Sequence, residues 1–280
     1  MYRIVKKEAL KPTVILYEIE APMVARKAEP GQFIILRVDE NGERIPITIH
    51  DFDREKGTVT IIVQTVGATT EKLSHKAEGD SLHDFVGPLG RPTETEGKKK
   101  VCVVGGGVGC AIAYPVLKKF HDCGAEVHAV VGFKSKDVVI LEDKFRAVSS
   151  VMKICTDDGS YGQKGLVTEA LKELLDAGNV YDEIFAIGPM VMMKFVSKTT
   201  EPYGVPTTVS MSPIMIDGTG MCGGCRLSVG GETKFACVDG PDFDGHKVDW
   251  DVAVKRNQMY RDFEMHKHEE VCNLYKQEVK

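Results

Sequence analysis

Three cysteines gathered in one glycine-rich stretch constrain this chain more than any other feature: Cys222-x2-Cys225-x11-Cys237, with Asp217 five residues before the first. The remaining five of the eight cysteines (Cys102, Cys110, Cys123, Cys155 and Cys272) stand apart from one another. That distribution is not a disulfide framework. In a reducing compartment the tight group reads as metal binding and the scattered thiols as small packing residues. Asp217-x4-Cys222-x2-Cys225 has the C-x4-C-x2-C spacing of plant-type iron–sulfur proteins, with aspartate in the first place. Gly218, Gly220, Gly223 and Gly224 surround these ligands, and positions without side chains let backbone N–H groups reach cluster sulfurs. Two other readings stay open on spacing alone. A structural zinc site would use the three cysteines and His246, and Asp217 also reads as a turn residue ahead of Gly218.

The length, 280 residues, allows two domains and a small module. Over residues 1–97 short β-branched runs recur, including Thr13-Val14-Ile15-Leu16-Tyr17-Glu18-Ile19, Phe33-Ile34-Ile35-Leu36-Arg37-Val38 and Thr58-Val59-Thr60-Ile61-Ile62-Val63-Gln64. Turn signals such as Glu29-Pro30-Gly31 and Asn41-Gly42 separate them, and this spacing predicts a small barrel, with one helix over 70–75. The texture changes at Lys98. Strands at 101–104, 126–132, 151–155 and 183–187 alternate with helices at 111–121 and 167–177, the signature of a parallel α/β sheet over 98–209. Residues 210–250 hold the cysteine group, and 251–280 read as an exposed helical tail.

Two loops in the α/β segment carry chemistry. Gly105-Gly106-Gly107-Val108-Gly109 follows a buried strand and precedes a helix. There the backbone can approach a phosphate, and the helix N-terminus offers free N–H groups to it. The run is not a full G-x-G-x-x-G, since Ala111-Ile112 stands at the last glycine position; a structural turn is the competing reading. Gly188-Pro189-Met190 follows the strand at 183–187, at the equivalent strand end. In the β segment, Arg44-Ile45-Pro46-Ile47-Thr48 sets a guanidinium beside a strand that carries a hydroxyl. An arginine can clamp a pyrophosphate, although such residues also serve as ordinary surface and edge positions. Gly67-Ala68-Thr69-Thr70 opens the predicted helix as a second phosphate contact.

Taken together, Arg44-Ile45-Pro46-Ile47-Thr48, Gly105-Gly106-Gly107-Val108-Gly109, Asp157-Asp158-Gly159-Ser160-Tyr161-Gly162, Gly188-Pro189-Met190, the aspartate–cysteine run and Phe235-Ala236-Cys237-Val238-Asp239-Gly240-Pro241 resemble the ferredoxin reductase superfamily. The likeness reaches to about Trp250. It covers the electron-transfer subunits related to that of dihydroorotate dehydrogenase. It is closer to the small (alpha) subunits of NADH-dependent ferredoxin:NADP oxidoreductase, also called sulfide dehydrogenase subunits. The resemblance implies an FAD-binding β-barrel, an NAD(P)-binding α/β parallel-sheet domain and a C-terminal iron–sulfur module. It assigns FAD to Arg44 through Thr48, Val63, Gly67, Thr69 and Thr70, and the nicotinamide nucleotide to Gly106, Gly107, Val108, Gly109, Lys134, Asp158, Gly188, Pro189 and Met190. A two-iron, two-sulfur (2Fe-2S) cluster falls to Asp217, Cys222, Cys225 and Cys237. Aspartate at 217 sets the chain apart from the dihydroorotate relatives, which use four cysteines. Lys134 stands where the family commonly has arginine, so both NAD(H) and NADP(H) remain open, and Cys110 replaces a usual aliphatic residue as a packing thiol.

The implied chemistry is hydride transfer from NAD(P)H to the flavin, with electrons then leaving singly through the cluster; it needs no protein acid or base, and none is assigned. The implied partner is a larger subunit with its own flavin and four-iron clusters, the seat of electron bifurcation, through which ferredoxin is reached. A zinc-stapled regulatory module is the competing reading, as is an electron-transfer subunit serving dihydroorotate dehydrogenase, a hydrogenase or a sulfur reductase. The net charge of −5 with dispersed basic residues argues against a nucleic-acid surface. No apolar stretch approaches the roughly 18–20 residues of a membrane span, and no signal peptide is apparent, so a cytoplasmic protein is expected.

Overall fold

The structure, a computed structural model, describes residues 1–278; positions 279 and 280 of the expected tail lie outside the described residues. Strand Val14–Glu20 shows why the first segment folds as it does. Tyr17 and Ile19 point inward at 1% and 0% exposure while Glu20 faces solvent, as the two-residue period of a half-buried strand requires. Among the described residues the antiparallel order is Asp51–Asp53, Thr58–Gln64, Val14–Glu20, Tyr2–Lys11, Ser81–Leu82, and a second sheet runs Ile45–Thr48, Phe33–Arg37, Asp84–Leu89. Both enclose one core containing Ile4, Tyr17, Ile34, Leu36, Ile61 and Phe85, and His50 N–H donates to Thr60 O (2.9 Å) where the chain passes between them. Strand Tyr2–Lys11 is not predicted by the apolar pattern, because within it only Ile4 is fully buried. The predicted helix over 70–75 lies at Ala68–Ser74: the Thr70 hydroxyl accepts from Gly67 N–H (3.0 Å) and starts the helix earlier.

The second sheet system is parallel. Its order is Gln163–Lys164, Val151–Thr156, Glu126–Phe133, Lys100–Gly106, Glu183–Ile187, Thr207–Ser210, with Asp242–Asp244 added antiparallel at the edge. Strand Lys100–Gly106 is apolar on both faces, which a parallel sheet covered by helices demands. Val101 and Val103 pack toward helix Cys110–Asp122. Cys102 and Val104 pack toward helices Val167–Asp176 and Met190–Thr200. The chain runs outward in one direction as far as residue 164 and returns on the other side at 183. That reversal opens a crevice at the carboxyl ends of Lys100–Gly106 and Glu183–Ile187.

The cysteine segment leaves the sheet after Ser210, forms the hairpin Arg226–Val229/Glu232–Phe235 and rejoins the sheet at Asp242–Asp244. Helix Trp250–Asn257 follows, capped by the Asp249 carboxylate on Val252 N–H (3.1 Å). Most of the tail's described side chains are exposed and the segment is helical, yet it does not hang free. Helix Arg261–Glu278 folds back onto helix Ala68–Ser74, with Val271 only 4% exposed and the His75 and Tyr275 rings stacked at 3.7 Å. One inward apolar side chain in a charged helix gives little periodic signal. Among the described residues no helix is long and apolar enough to cross a membrane.

Candidate functional site

The crevice is built by backbone. Gly107 adopts φ +56° and begins the turn into helix Cys110–Asp122. A Cβ on Gly109 would stand 2.7 Å from both Gly188 Cα and Ile187 O, so the two loops meet with no room for a side chain. Gly105 leaves the corresponding space for Cys110 Sγ. That thiol is fully buried, and burial pushes its pKa far above the ordinary thiol range. Lys134 and Asp158 lie at the ends of the next two strands, tied by Asp158 N–H to Lys134 O (3.3 Å). Both are exposed. The residues named for the nicotinamide nucleotide therefore line one carboxyl edge in the order Asp158, Lys134, Gly106 to Gly109, Gly188 to Met190. Met192, which the sequence does not single out, lies over both glycine loops: Cβ atoms on Gly106 and Gly188 would strike its thioether end.

The barrel faces this crevice through a specific lock. Pro115 sits inside helix Cys110–Asp122 and has no N–H, so the Ala111 carbonyl lacks its usual donor four residues on. His50 supplies one, its Nδ1 lying 2.6 Å from Ala111 O. The ring is 2% exposed, and burial lowers its pKa despite the opposing bond to Ala111. Val63 is packed in the barrel core, and its strand pairs it with Ile15. Thr69 Oγ1 donates to Glu43 Oε2 (3.2 Å), and the Thr70 hydroxyl is used within its own turn, donating to Gly67 O (2.9 Å). Beside Gly67 there is open space within 4 Å of a Cβ position.

Arg44 takes a position that the sequence does not predict. Its Nε donates to Ile216 O (3.0 Å), and its other nitrogens reach Asp84 Oδ2 (3.3 Å) and Asp217 O (3.5 Å). The expected pyrophosphate clamp thus also fastens the barrel strand Ile45–Thr48 to the aspartate–cysteine loop. Gly218, at φ +85°, lets that loop press on the barrel: a Cβ there would stand 2.8 Å from Ile35 Cγ1 and Leu89 Cδ1.

Two cysteines of the group are buried and close. Cys225 and Cys237 are 2% and 3% exposed, with their sulfurs 3.2 Å apart and unbridged. Burial and the Cys225 thiol push Cys237 up to about 12, so deprotonation there calls for a cation. Cys222 is exposed at the loop, held below the usual thiol pKa by the Gly224 N–H and then by the Asp217 N–H. Asp217 Oδ2 accepts from Thr219 Oγ1 (2.6 Å), Thr219 N–H (2.9 Å) and Met221 N–H (3.2 Å). These bonds favour the ionised carboxylate and fix its direction. Three soft sulfurs with one hard anion, around backbone N–H groups, are a donor set that fits an iron–sulfur cluster. The zinc reading has less support. His246 Nε2 lies 2.9 Å from Thr200 Oγ1, and among the described residues no three of Cys222, Cys225, Cys237 and His246 bring their ligand atoms within 4.8 Å of one another.

Barrel, parallel-sheet crevice and cysteine module together define a flavin-reductase fold of the ferredoxin reductase type with a C-terminal iron–sulfur module. The model of the iron–sulfur cluster binding domain of dihydroorotate dehydrogenase B matches residues 212–249. A Thermotoga maritima protein named dihydroorotate dehydrogenase B (NAD(+)), electron transfer subunit homolog, is 47% identical over 261 residues, 93% of this chain and 92% of that one. The chain belongs to the family of dihydroorotate dehydrogenase B electron transfer subunits and their homologues. A chain from the structure of NADH-dependent reduced ferredoxin-NADP oxidoreductase, solved for insight into flavin-based electron bifurcation, is 45% identical with a TM-score of 0.91, covering 96% of this chain and 97% of its own. The Amycolatopsis cytochrome P450 reductase GcoB shares the fold at 19% identity and a TM-score of 0.62 over 72% of this chain and 65% of its own.

Proposed function

We propose that this chain is an electron-transfer flavoprotein subunit that oxidises NAD(P)H through FAD and passes electrons by way of a 2Fe-2S cluster to a larger flavin and iron–sulfur subunit, as in NADH-dependent ferredoxin:NADP oxidoreductase. The observation that carries this reading is Arg44: one side chain joins the strand that leads to Thr48 with the carbonyls of Ile216 and Asp217, at the head of the ligand loop. A flavin strand and a cluster loop held by one guanidinium suit direct electron passage between the two.

The residues divide the work. Gly106, Gly107, Val108 and Gly109 with Gly188, Pro189 and Met190 would admit the pyrophosphate of NAD(H) or NADP(H), with Lys134 and Asp158 on the ribose side. Arg44 to Thr48, Val63, Gly67, Thr69 and Thr70 would hold and orient FAD. Asp217, Cys222, Cys225 and Cys237 would hold the cluster, giving up thiol protons as it binds. When bound, the flavin supplies the exchange between a hydride pair and single electrons, and the cluster supplies a one-electron carrier. Ferredoxin would be met through the complex. Thiolate ligands of this kind suit a reducing compartment, which supports the cytoplasm.

The test uses the anaerobic full-length chain loaded with FAD, iron and sulfide. NADH or NADPH should bleach the flavin and raise a paramagnetic signal from the reduced cluster. A fully loaded protein that bleaches without that signal, or does not bleach, refutes the reading. The match to the dihydroorotate dehydrogenase B domain over 212–249 favours one second partner, a dihydroorotate dehydrogenase. Co-purification of the native complex decides between the two.

A further inference from the structure

The contact between helices Ala68–Ser74 and Arg261–Glu278 gathers metal-ligand chemistry outside the cofactor sites. The ligand atoms of Glu71, His268 and Cys272 all lie within 4.8 Å of one another. His268 and Cys272 are four residues apart on one helix and so share a face, while Glu71 comes from the opposing helix. His268 Nε2 is shielded from solvent and has no hydrogen-bond partner, and Glu71 Oε2 stands 3.6 Å from it. A buried ring nitrogen left in that state is costly. A cation placed between imidazole, carboxylate and thiol removes the cost. The second Glu71 oxygen is already held, with His75 Nε2 at 3.3 Å from Oε1 and the His75 ring stacked on Tyr275 at 3.7 Å. The carboxylate is thereby fixed from behind, as ligating groups usually are.

We propose that Glu71, His268 and Cys272 form a binding site for a zinc-class divalent cation that staples the C-terminal helix to the barrel's helix. One oxygen, one imidazole nitrogen and one thiolate make a borderline-soft set, which suits Zn²⁺ and disfavours Mg²⁺ or Ca²⁺. Ligand atoms around tetrahedral zinc are about 3.3–3.7 Å apart, so side-chain rotation closes the site without moving either helix. Binding takes the proton from Cys272. Gly67, proposed for the flavin phosphates, immediately precedes the stapled helix, and the cation would fix the tail beside it.

The experiment uses full-length protein whose flavin and iron have first been quantified, equilibrated anaerobically with Zn²⁺ and dialysed against metal-free buffer. Metal analysis should find one zinc per chain with iron unchanged, and hydrogen exchange over 261–278 should slow. Competition with a chromophoric chelator should show His268→Ala and Cys272→Ser each weakening zinc by about 100-fold or more, while Cys123→Ser, at an exposed thiol outside the cluster, matches the parent. The proposal is overturned if the parent retains no zinc, if zinc enters only with loss of iron, or if both tail variants retain zinc as the parent does. The parent result stands even if a variant folds poorly. Because iron and flavin are measured separately, failure here leaves the electron-transfer reading intact.

Discussion

The nucleotide crevice and the aspartate–cysteine loop are both turns dense in glycine, yet they are made in opposite ways. In the crevice, Gly109 and Gly188 touch backbone to backbone at the ends of two buried parallel strands, and the sheet itself sets the shape. In the loop, Cys225 and Cys237 are buried, Asp217 is half-buried and Cys222 is exposed. Cys222, Cys225 and Cys237 do not come within 4.8 Å of one another as a trio, and under the proposed function a cluster would draw them together. The first region takes its shape from the sheet; the second, on the proposed function, would draw part of its folding from what it binds.

The largest effect tests this division. Cys225→Ser removes a buried thiol from the pair and should abolish iron incorporation, measured as iron per chain. Flavin reduction by NADH, followed by stopped flow, should stay within a few-fold of the parent. Loss of both would show that the two regions are not separable. The converse change is Gly109→Val. Its side chain would press on Gly188 Cα and Ile187 O and displace the nucleotide, lowering NADH-driven flavin reduction by roughly 10²-fold with iron content unchanged.

The sequence shows the crevice more completely than the loop's surroundings, for a physical reason. Val101 to Val104 and the glycines after them are a local signal, because a buried strand and a turn dictate their own residue types. The proposed cluster ligands are a local signal too, since spacing alone brings Cys222 and Cys225 onto one loop. Arg44 is legible as a cation beside a strand, but its bond to Ile216 O spans 172 residues, and no local pattern encodes that. His50 is hidden likewise: its task arises because Pro115, far along the chain, leaves a carbonyl unpaired. The contact of helix Arg261–Glu278 with helix Ala68–Ser74 is not legible, because it uses histidines, a glutamate and a tyrosine rather than an apolar stripe.

A smaller effect falls on the join between the two halves of the comparison. Arg44→Ala deletes the bonds to Ile216 and Asp217, in a side chain 31% exposed. The loss should be on the order of 1 kcal/mol after solvent screening. Faster iron release to a chelator and earlier proteolytic cleavage within 211–225 are the expected readouts. If Arg44→Lys, which keeps the charge and loses the fork, behaves as Ala does, the bonds matter rather than the charge.

The smallest effect concerns the preorganised side and is set by pH. His50 is buried against Ala111 O, and desolvation holds its folded pKa below the ordinary histidine value. As pH falls below about 6.5 the unfolded chain takes up a proton that the folded chain refuses, so unfolding is favoured and stability declines. The contribution is fully present above the unfolded pKa and is lost on acidification toward the folded one. His50→Asn keeps a donor for the Ala111 carbonyl and cannot titrate. Carboxylates elsewhere, including the buried Asp242 whose pKa is raised by desolvation, are common to both proteins and cancel in the difference. The melting temperature of the parent should therefore fall more steeply than that of His50→Asn between about pH 7 and 5. Parallel curves would show that the contact between barrel and nucleotide domain does not depend on a neutral ring.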